Sequence, residues 1–127
     1  MKARNLGESF RFAATGMVQA LRSERNMRIH IVAAILAVLL SHALRLGSLE
    51  IAVVVLATVI VIVAEMVNTA LEHLVDMVTA EYHPLAAKVK NIAAGAVLTA
   101  AVGAAVVGII IFGPRLVSMI SQGGVKP

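Results

Sequence analysis

An apolar run from Ile51 to Ala64 is followed directly by four polar side chains at helical spacing: Glu65, Asn68, Glu72 and Asp76. Spacings of three, four and four residues place them within an arc of about 80° on one face of a helix. Burying such groups without partners costs free energy, so their presence in a helix apolar enough to cross a membrane indicates a function. The pattern predicts a polyanionic site at a membrane boundary, and its natural partner is a cation.

The composition favours an integral membrane protein with a single domain over residues 1–127. Hydrophobic residues make up 60% of the 127 residues, charged residues 14%, and the mean hydropathy is +0.93. A soluble domain of this size could not bury so much apolar side chain. The net charge of +4 sits beside apolar spans, which favours anionic membrane lipids as the partner and argues against nucleic acid. The chain has no Cys, which excludes thiolate chemistry and disulfides.

Four helices are expected to position the acidic face. Residues 9–26 read as an amphipathic interfacial helix after a frayed tail at 1–8, and residues 27–46 as the first span. Residues 49–80 form the second span with a cytoplasmic extension, since 32 residues exceed the hydrocarbon core. Residues 88–112 form the third span, which Gly113-Pro114 is expected to end. The fold class is therefore an all-α membrane protein with three transmembrane helices.

Two features of the first half leave alternatives open. Glu24 falls three positions after Leu21, on the apolar side of the surface helix. It is either a residue near a helix end that reaches solvent or a carboxylate that faces the same site as Glu65. His30 and His42 are interpreted as residues at the membrane boundary rather than as ligands.

Charge and small residues predict orientation and assembly. Basic residues concentrate before the first span and at Lys88 and Lys90, so the positive-inside rule puts the N-terminus and the 80–91 loop in the cytoplasm. The protein is then a multi-pass protein of the cell (inner) membrane. The third span contains Gly95, Gly103 and Gly108, which permit close helix contacts. Three thin helices bury little alone, which favours a homo-oligomer.

Several carboxylates near one membrane surface suit Mg²⁺, which takes one or two carboxylates and completes its shell with water and phosphate oxygens. Lys90 is suited to phosphate. This combination fits phosphoryl transfer to a lipid hydroxyl, without a Walker-type loop. The alternatives are a small oligomeric cation-conducting protein and an accessory membrane subunit that uses the same carboxylates. The alternative without a functional site is that the carboxylates are solvated and paired with arginines.

The sequence resembles the prokaryotic diacylglycerol kinase and undecaprenol kinase family, small integral-membrane lipid kinases. Four segments between about Ser9 and Phe112 carry the likeness: Glu65-Met66-Val67-Asn68-Thr69-Ala70-Leu71-Glu72 with Asp76, His83-Pro84-Leu85-Ala86, Lys90-Asn91-Ile92-Ala93-Ala94-Gly95, and Leu21-Arg22-Ser23-Glu24-Arg25-Asn26. The glutamate–asparagine–glutamate–aspartate motif is the most specific of these. The resemblance implies an ATP-dependent kinase for a lipid alcohol, assembled as a homotrimer with sites between subunits.

The resemblance also implies roles for individual residues. Glu65 is the general base for the lipid hydroxyl, with Asn68 orienting it and Asp76 supporting the site. Glu24 and Glu72 hold the Mg²⁺ of ATP. The remaining residues expected to contact ATP are Phe12, Glu81, Tyr82, His83, Lys90 and Asn91.

One position departs from the family pattern, and the lipid stays open. The family usually has Asp after the lysine, where this chain has Asn91. The amide keeps the shape of the side chain and loses its charge. The Arg25-Asn26-Met27-Arg28-Ile29-His30 segment resembles the undecaprenol kinase branch more closely, with diacylglycerol as the other candidate substrate.

Overall fold

A computed structural model of the chain contains four α-helices in the order α1 Leu6–Ser23, α2 Arg25–Ala43, α3 Ser48–Val78 and α4 Pro84–Gly123. The structure describes residues 5–79 and 81–123. Residues 1–4, Ala80 and residues 124–127 lie outside the described residues, and so do the parts of the predicted tail and second span that fall on them. The all-helical fold and the order of its helices match the sequence-based prediction.

The first helix differs from its predicted range at both ends. It begins at Leu6 because Asn5 caps it, with the Glu8 N–H donating to Asn5 Oδ1 at 2.9 Å. The prediction of a frayed tail is therefore wrong for residues 5–8. The helix ends at Ser23 rather than 26, because Glu24 adopts an extended backbone with φ −98° and ψ 123°. The second helix starts at the next residue.

The second and third helices meet in a four-residue connection. The predicted end of the first span at 46 is three residues late, because Arg45 has φ 52° and cannot continue a right-handed helix. The third helix begins at Ser48, and the Gly47 N–H donates to Glu50 Oε2 at 3.0 Å. It ends at Val78, two residues before the predicted boundary.

The fourth helix is longer than predicted in both directions. It starts at Pro84 rather than 88, because a proline is favoured at the first helical position. It also continues through Pro114 to Gly123, so the predicted termination at Gly113-Pro114 is wrong. A proline has no N–H, so the Ile110 carbonyl, four residues before Pro114, loses its helical donor. The Arg115 Nη1 donates to the next carbonyl, that of Ile111, at 3.0 Å.

Three helices are long and apolar enough to cross a membrane: Arg25–Ala43, Ser48–Val78 and the Pro84–Ser121 part of α4, with mean hydropathies of 1.5, 2.6 and 2.4. The third packs against both the second and the fourth. A small apolar cluster of Leu46, Val54 and Ile111 closes the end nearest the Leu44–Gly47 connection. At that end Arg115 Nη2 pairs with Glu50 Oε2 at 2.8 Å.

A candidate acidic site between the apolar helices

A cleft of about 340 Å³ lies where α2, α3 and α4 come together. Its polar lining comes from α2 and α3, and its apolar lining comes from α4. The lining residues are Asn26, His30, Glu65, Asn68, Glu72, Ala94, Val97, Leu98 and Ala101. Three of the four residues on the predicted acidic face therefore do share one cavity.

Glu65 is the most deeply placed carboxylate of the cleft, with only 2% of its surface exposed. Its carboxylate accepts no hydrogen bond from residues 5–79 or 81–123. The charged or titratable side chains that act on it electrostatically are His30, Glu24 and Glu72. A buried carboxylate without a hydrogen-bond donor is costly for the fold, and such arrangements mark functional sites.

Asn68 and Glu72, about one and two turns beyond Glu65 on α3, form a hydrogen-bonded pair. Asn68 Nδ2 donates to Glu72 Oε1 at 3.1 Å, which fixes the orientation of the amide. Asn68 Oδ1 and Thr69 Oγ1 are buried atoms without a hydrogen-bond partner in the described part of the chain. Of these two residues only Asn68 lines the cleft. Because buried polar atoms are normally satisfied, its Oδ1 indicates that the site is completed by a molecule outside the chain.

The carboxylates of this site fit a hard cation that also binds phosphate. Among the described residues, no three His, Cys, Asp or Glu side chains are grouped closely enough to hold a metal by themselves. Mg²⁺ in nucleotide sites needs only one or two carboxylates and takes its other ligands from water and phosphates. Glu72 lines the cleft and could supply one of them, and the unpartnered Asn68 Oδ1 could accept from a bound water. Glu24 is not a lining residue, but it lies two residues before Asn26, which is.

Asp76 and Lys90 lie outside the cleft and pair with each other. Lys90 Nζ is 2.6 Å from Asp76 Oδ1, and the two side chains are 36% and 62% exposed. Asp76 is three turns beyond Glu65 along α3, a distance of about 16 Å. The predicted acidic face is therefore divided into a buried part at the cleft and an exposed part at the end of α3.

Three further predicted residues lie in the connection between α3 and α4. Glu81 and Tyr82 are exposed, the tyrosine by 85%. His83 caps α4, because its Nδ1 accepts the Leu85 N–H at 3.2 Å and its carbonyl accepts from Ala87. None of the three reaches the cleft around Glu65. They lie on the same side of it as Lys90.

Phe12 and Asn91 are also outside the cleft. Phe12 is half-buried on α1, with the Arg11 guanidinium 5.7 Å from its ring centre. Asn91 is exposed beside Lys90, and its side chain makes no hydrogen bond within the described residues. The site is thus a buried acidic cleft with a separate exposed group of residues at the same end of the bundle.

Two polar residues of the cleft were not predicted from the sequence as site residues. Asn26 and His30 are four residues apart on α2, so they share one helix face, and the His30 side chain was interpreted as a boundary residue. His30 also lines a second, apolar cavity of about 270 Å³, rich in alanine, and Ala101 lines both. The second cavity runs from the cleft toward Phe112. The four-residue spacing of Asn26 and His30 was the sequence signal that could have identified them.

Sequence comparisons place these features among known proteins. The sequence profile of the family described as prokaryotic diacylglycerol kinase matches residues 11–112. A diacylglycerol kinase of Synechocystis is 40% identical over 118 residues, covering 92% of this chain and 67% of that protein. An undecaprenol kinase of Bacillus subtilis is 37% identical over 109 residues, covering 86% and 89%. A diacylglycerol kinase of Escherichia coli is 30% identical over 91 residues, covering 72% and 75%.

Proposed function

This chain belongs to the prokaryotic diacylglycerol kinase family and is a lipid kinase, and we propose that it transfers the γ-phosphoryl group of ATP to a membrane lipid alcohol. Its three long apolar helices agree with the membrane environment of such a substrate. The observation that carries the proposal is Glu65, a carboxylate with 2% exposure that lines a cleft with Asn68 and Glu72.

Glu65 acts as the general base in this proposal. A bond forms between the lipid hydroxyl oxygen and the γ-phosphorus while the bond to the bridging oxygen of ADP breaks. Glu65 accepts the hydroxyl proton, and ADP leaves. Burial without a hydrogen-bond donor supports this role, because an unpartnered carboxylate keeps its lone pairs available for a proton. Asn68 orients the reacting groups through its hydrogen bond to Glu72.

Glu24 and Glu72 would hold the Mg²⁺ that accompanies ATP. Bound Mg²⁺ would neutralise phosphate charge and polarise the γ-phosphoryl group. Glu72 lines the cleft, and Glu24 lies in the joint between α1 and α2, two residues before the cleft residue Asn26. The two carboxylates come from different parts of the fold, and Asn68 donates a hydrogen bond to Glu72.

ATP extends from the cleft along the end of α3 toward the α3–α4 connection. Lys90 contacts its phosphates, and Asp76 holds the lysine through the 2.6 Å pair. The exposed position of this pair supports the proposal, because a soluble nucleotide must enter from water. The residues proposed to lie beside the nucleotide are Phe12, Glu81, Tyr82, His83 and Asn91.

The membrane arrangement follows from the distribution of charge and apolar surface. The N-terminus faces the cytoplasm, and the protein is a multi-pass protein of the cell (inner) membrane. The first helix lies in the interface as an amphipathic helix. Its apolar residues Phe10 and Met17 are 75% and 55% exposed, so the rest of the described chain does not cover them. Arg11 and Arg22 of the same helix suit anionic headgroups.

The active assembly is a homotrimer with sites between subunits. Within one chain only eight apolar residues are buried among those described, which leaves long helix faces without protein partners. Small residues on α4, including Gly95 and Gly103, have open space where a Cβ would be added, so another helix could approach them closely.

Undecaprenol is the proposed lipid, with diacylglycerol as the second candidate. The alanine-lined cavity joins the acidic cleft at His30 and Ala101, so an apolar chain could lie in it with its hydroxyl beside Glu65. The relatives bear both names, diacylglycerol kinase at 40% identity and undecaprenol kinase at 37%. Identity alone therefore does not choose between the two lipids.

The deciding experiment offers undecaprenol and diacylglycerol separately to the purified protein in detergent–lipid micelles with ATP labelled at the γ-phosphate. The test variant is Glu65→Gln, and the control is Glu50→Gln, which makes the same chemical change in the first turn of α3. Transfer to one lipid that is lost only in Glu65→Gln supports the proposal and identifies the substrate. No transfer from a folded assembly, together with ion flux through liposomes, would favour the cation-conducting alternative.

A further inference from the structure

The joint between α1 and α2 is a single extended residue, Glu24. It closes the C-terminal end of α1 by donating its N–H to the Ala20 carbonyl at 3.0 Å, and it directly precedes α2. Its side chain makes no capping hydrogen bond to the first turn of α2. The carboxylate is therefore free of the local backbone, and its direction depends on how the two helices are held together.

Arg28, one turn into α2, holds the two helices together. Its Nη1 donates to the carbonyls of Arg22 at 3.0 Å and Leu21 at 3.3 Å. These carbonyls belong to the last turn of α1, where helical donors have run out. The guanidinium thus closes a loop of backbone around Glu24.

The positive charge of Arg28 is unfavourable for α2, to which the residue belongs, and favourable for α1. The first turn of α2 has no acidic residue and begins with Arg25, although positive charge is unfavourable at a helix N-terminus. At the C-terminus of α1 the same charge is favourable, because the carbonyls there carry partial negative charge. The positive charge of Arg28 therefore stabilises the C-terminal end of α1, although the residue belongs to α2.

We propose that Arg28 is a positioning residue, which keeps the Glu24 carboxylate at the acidic site by tying the first turn of α2 to the last turn of α1. This inference rests on the proposed function, in which Glu24 holds the metal of ATP. Asn26, two residues after Glu24, lines the acidic cleft, and α1 contacts α3, so a change in the angle between α1 and α2 moves the Glu24 carboxylate relative to the site. Metal affinity should then depend on Arg28, although Arg28 does not touch the metal.

The test compares Arg28→Gln with Arg25→Gln. Both remove one exposed positive charge at the start of α2, but Arg25 makes no hydrogen bond or ion pair within the described residues. The first measurement is Mn²⁺ binding in the presence of ATP, followed by the electron paramagnetic resonance signal of free Mn²⁺. The second is the Mg²⁺ concentration that gives half-maximal phosphate transfer. Binding does not require turnover, so it separates the two proposals.

Arg28→Gln should weaken Mn²⁺ binding and raise the Mg²⁺ requirement about tenfold, the effect of losing one net hydrogen-bonding interaction. Transfer at saturating Mg²⁺ should change less than twofold, and Arg25→Gln should change neither quantity by more than twofold. Arg28→Lys should recover part of the loss, because one ammonium group can still donate to a carbonyl. In a Glu24→Gln background, Arg28→Gln should have no further effect on binding.

Three results would overturn the positioning role. They are equal effects of the Arg28 and Arg25 variants, a loss of transfer at saturating Mg²⁺ with unchanged metal binding, and additive effects with Glu24→Gln. If Arg28→Gln does not fold, Arg28→Lys carries the test, with an expected shift of about threefold in Mn²⁺ binding, and no shift counts against the inference. A wild type that binds Mn²⁺–ATP but phosphorylates neither lipid contradicts the proposed function instead.

Discussion

Replacing Glu65 with Gln should lower turnover and raise stability at the same time. The side chain is 2% exposed and accepts no hydrogen bond from the described residues, so its charge lowers the free energy of unfolding. Glutamine has the same shape and no charge. Removing an unpartnered buried charge should stabilise the bundle by about 1–3 kcal/mol. Loss of a general base should reduce kcat by about 10²–10⁴-fold.

The assay measures both quantities on one preparation. Turnover is followed with labelled ATP and lipid in mixed micelles, and stability is followed by the helical circular dichroism signal during unfolding in SDS. Glu50→Gln is the matched control, because Glu50 Oε2 accepts from the Gly47 N–H at 3.0 Å and from Arg115 Nη2 at 2.8 Å. The control should keep its turnover and lose little stability, because the Glu50–Arg115 pair is partly exposed to solvent. A Glu65→Gln protein that is less stable, with turnover falling only as the folded fraction falls, would refute the reasoning.

Three other substitutions test separate parts of the structure. Asn68→Ala removes the 3.1 Å hydrogen bond to the neighbouring carboxylate; kcat should fall about 10–100-fold at unchanged helical content, since a bond to a charged group contributes about 1.5–3 kcal/mol, and an unchanged kcat would contradict its role. Asn91→Asp restores the usual family residue beside Lys90 and should retain or raise phosphate transfer; complete loss of turnover would count against the assignment. Pro114→Ala should stabilise α4 by up to about 3 kcal/mol with transfer unchanged, measured by SDS unfolding, and lower stability would show that this proline favours the native helix.

The sequence allowed the three spans and the acidic cleft to be predicted, because both depend on helical periodicity. Glu65, Asn68 and Glu72 lie where spacings of three and four residues put them. The limits of the helices depend on individual backbone conformations that periodicity does not report. Glu24 interrupts a continuous helical pattern, and Pro114 fails to interrupt one.

The contribution of α2 to the cleft was missed for a related reason. His30 sits near the end of an apolar run, where a solvent-exposed position and a position facing α3 give the same pattern in the sequence. Only the packing of α2 against α3 distinguishes them. The separation of Asp76 from the cleft is likewise a matter of distance along α3, because one helix face can extend from a buried region into water.

The Glu50–Arg115 pair gives α3 a polar reference point from which the depth of Glu65 can be measured. Glu65 is fifteen residues further along the same helix, a rise of about 22 Å. A typical hydrocarbon layer is about 30 Å thick. With the ion pair at one edge of that layer, Glu65 lies about 8 Å inside the opposite edge. Lipids with longer acyl chains would bury this carboxylate deeper. We therefore expect the rate of phosphate transfer to the lipid to depend on the thickness of the surrounding bilayer.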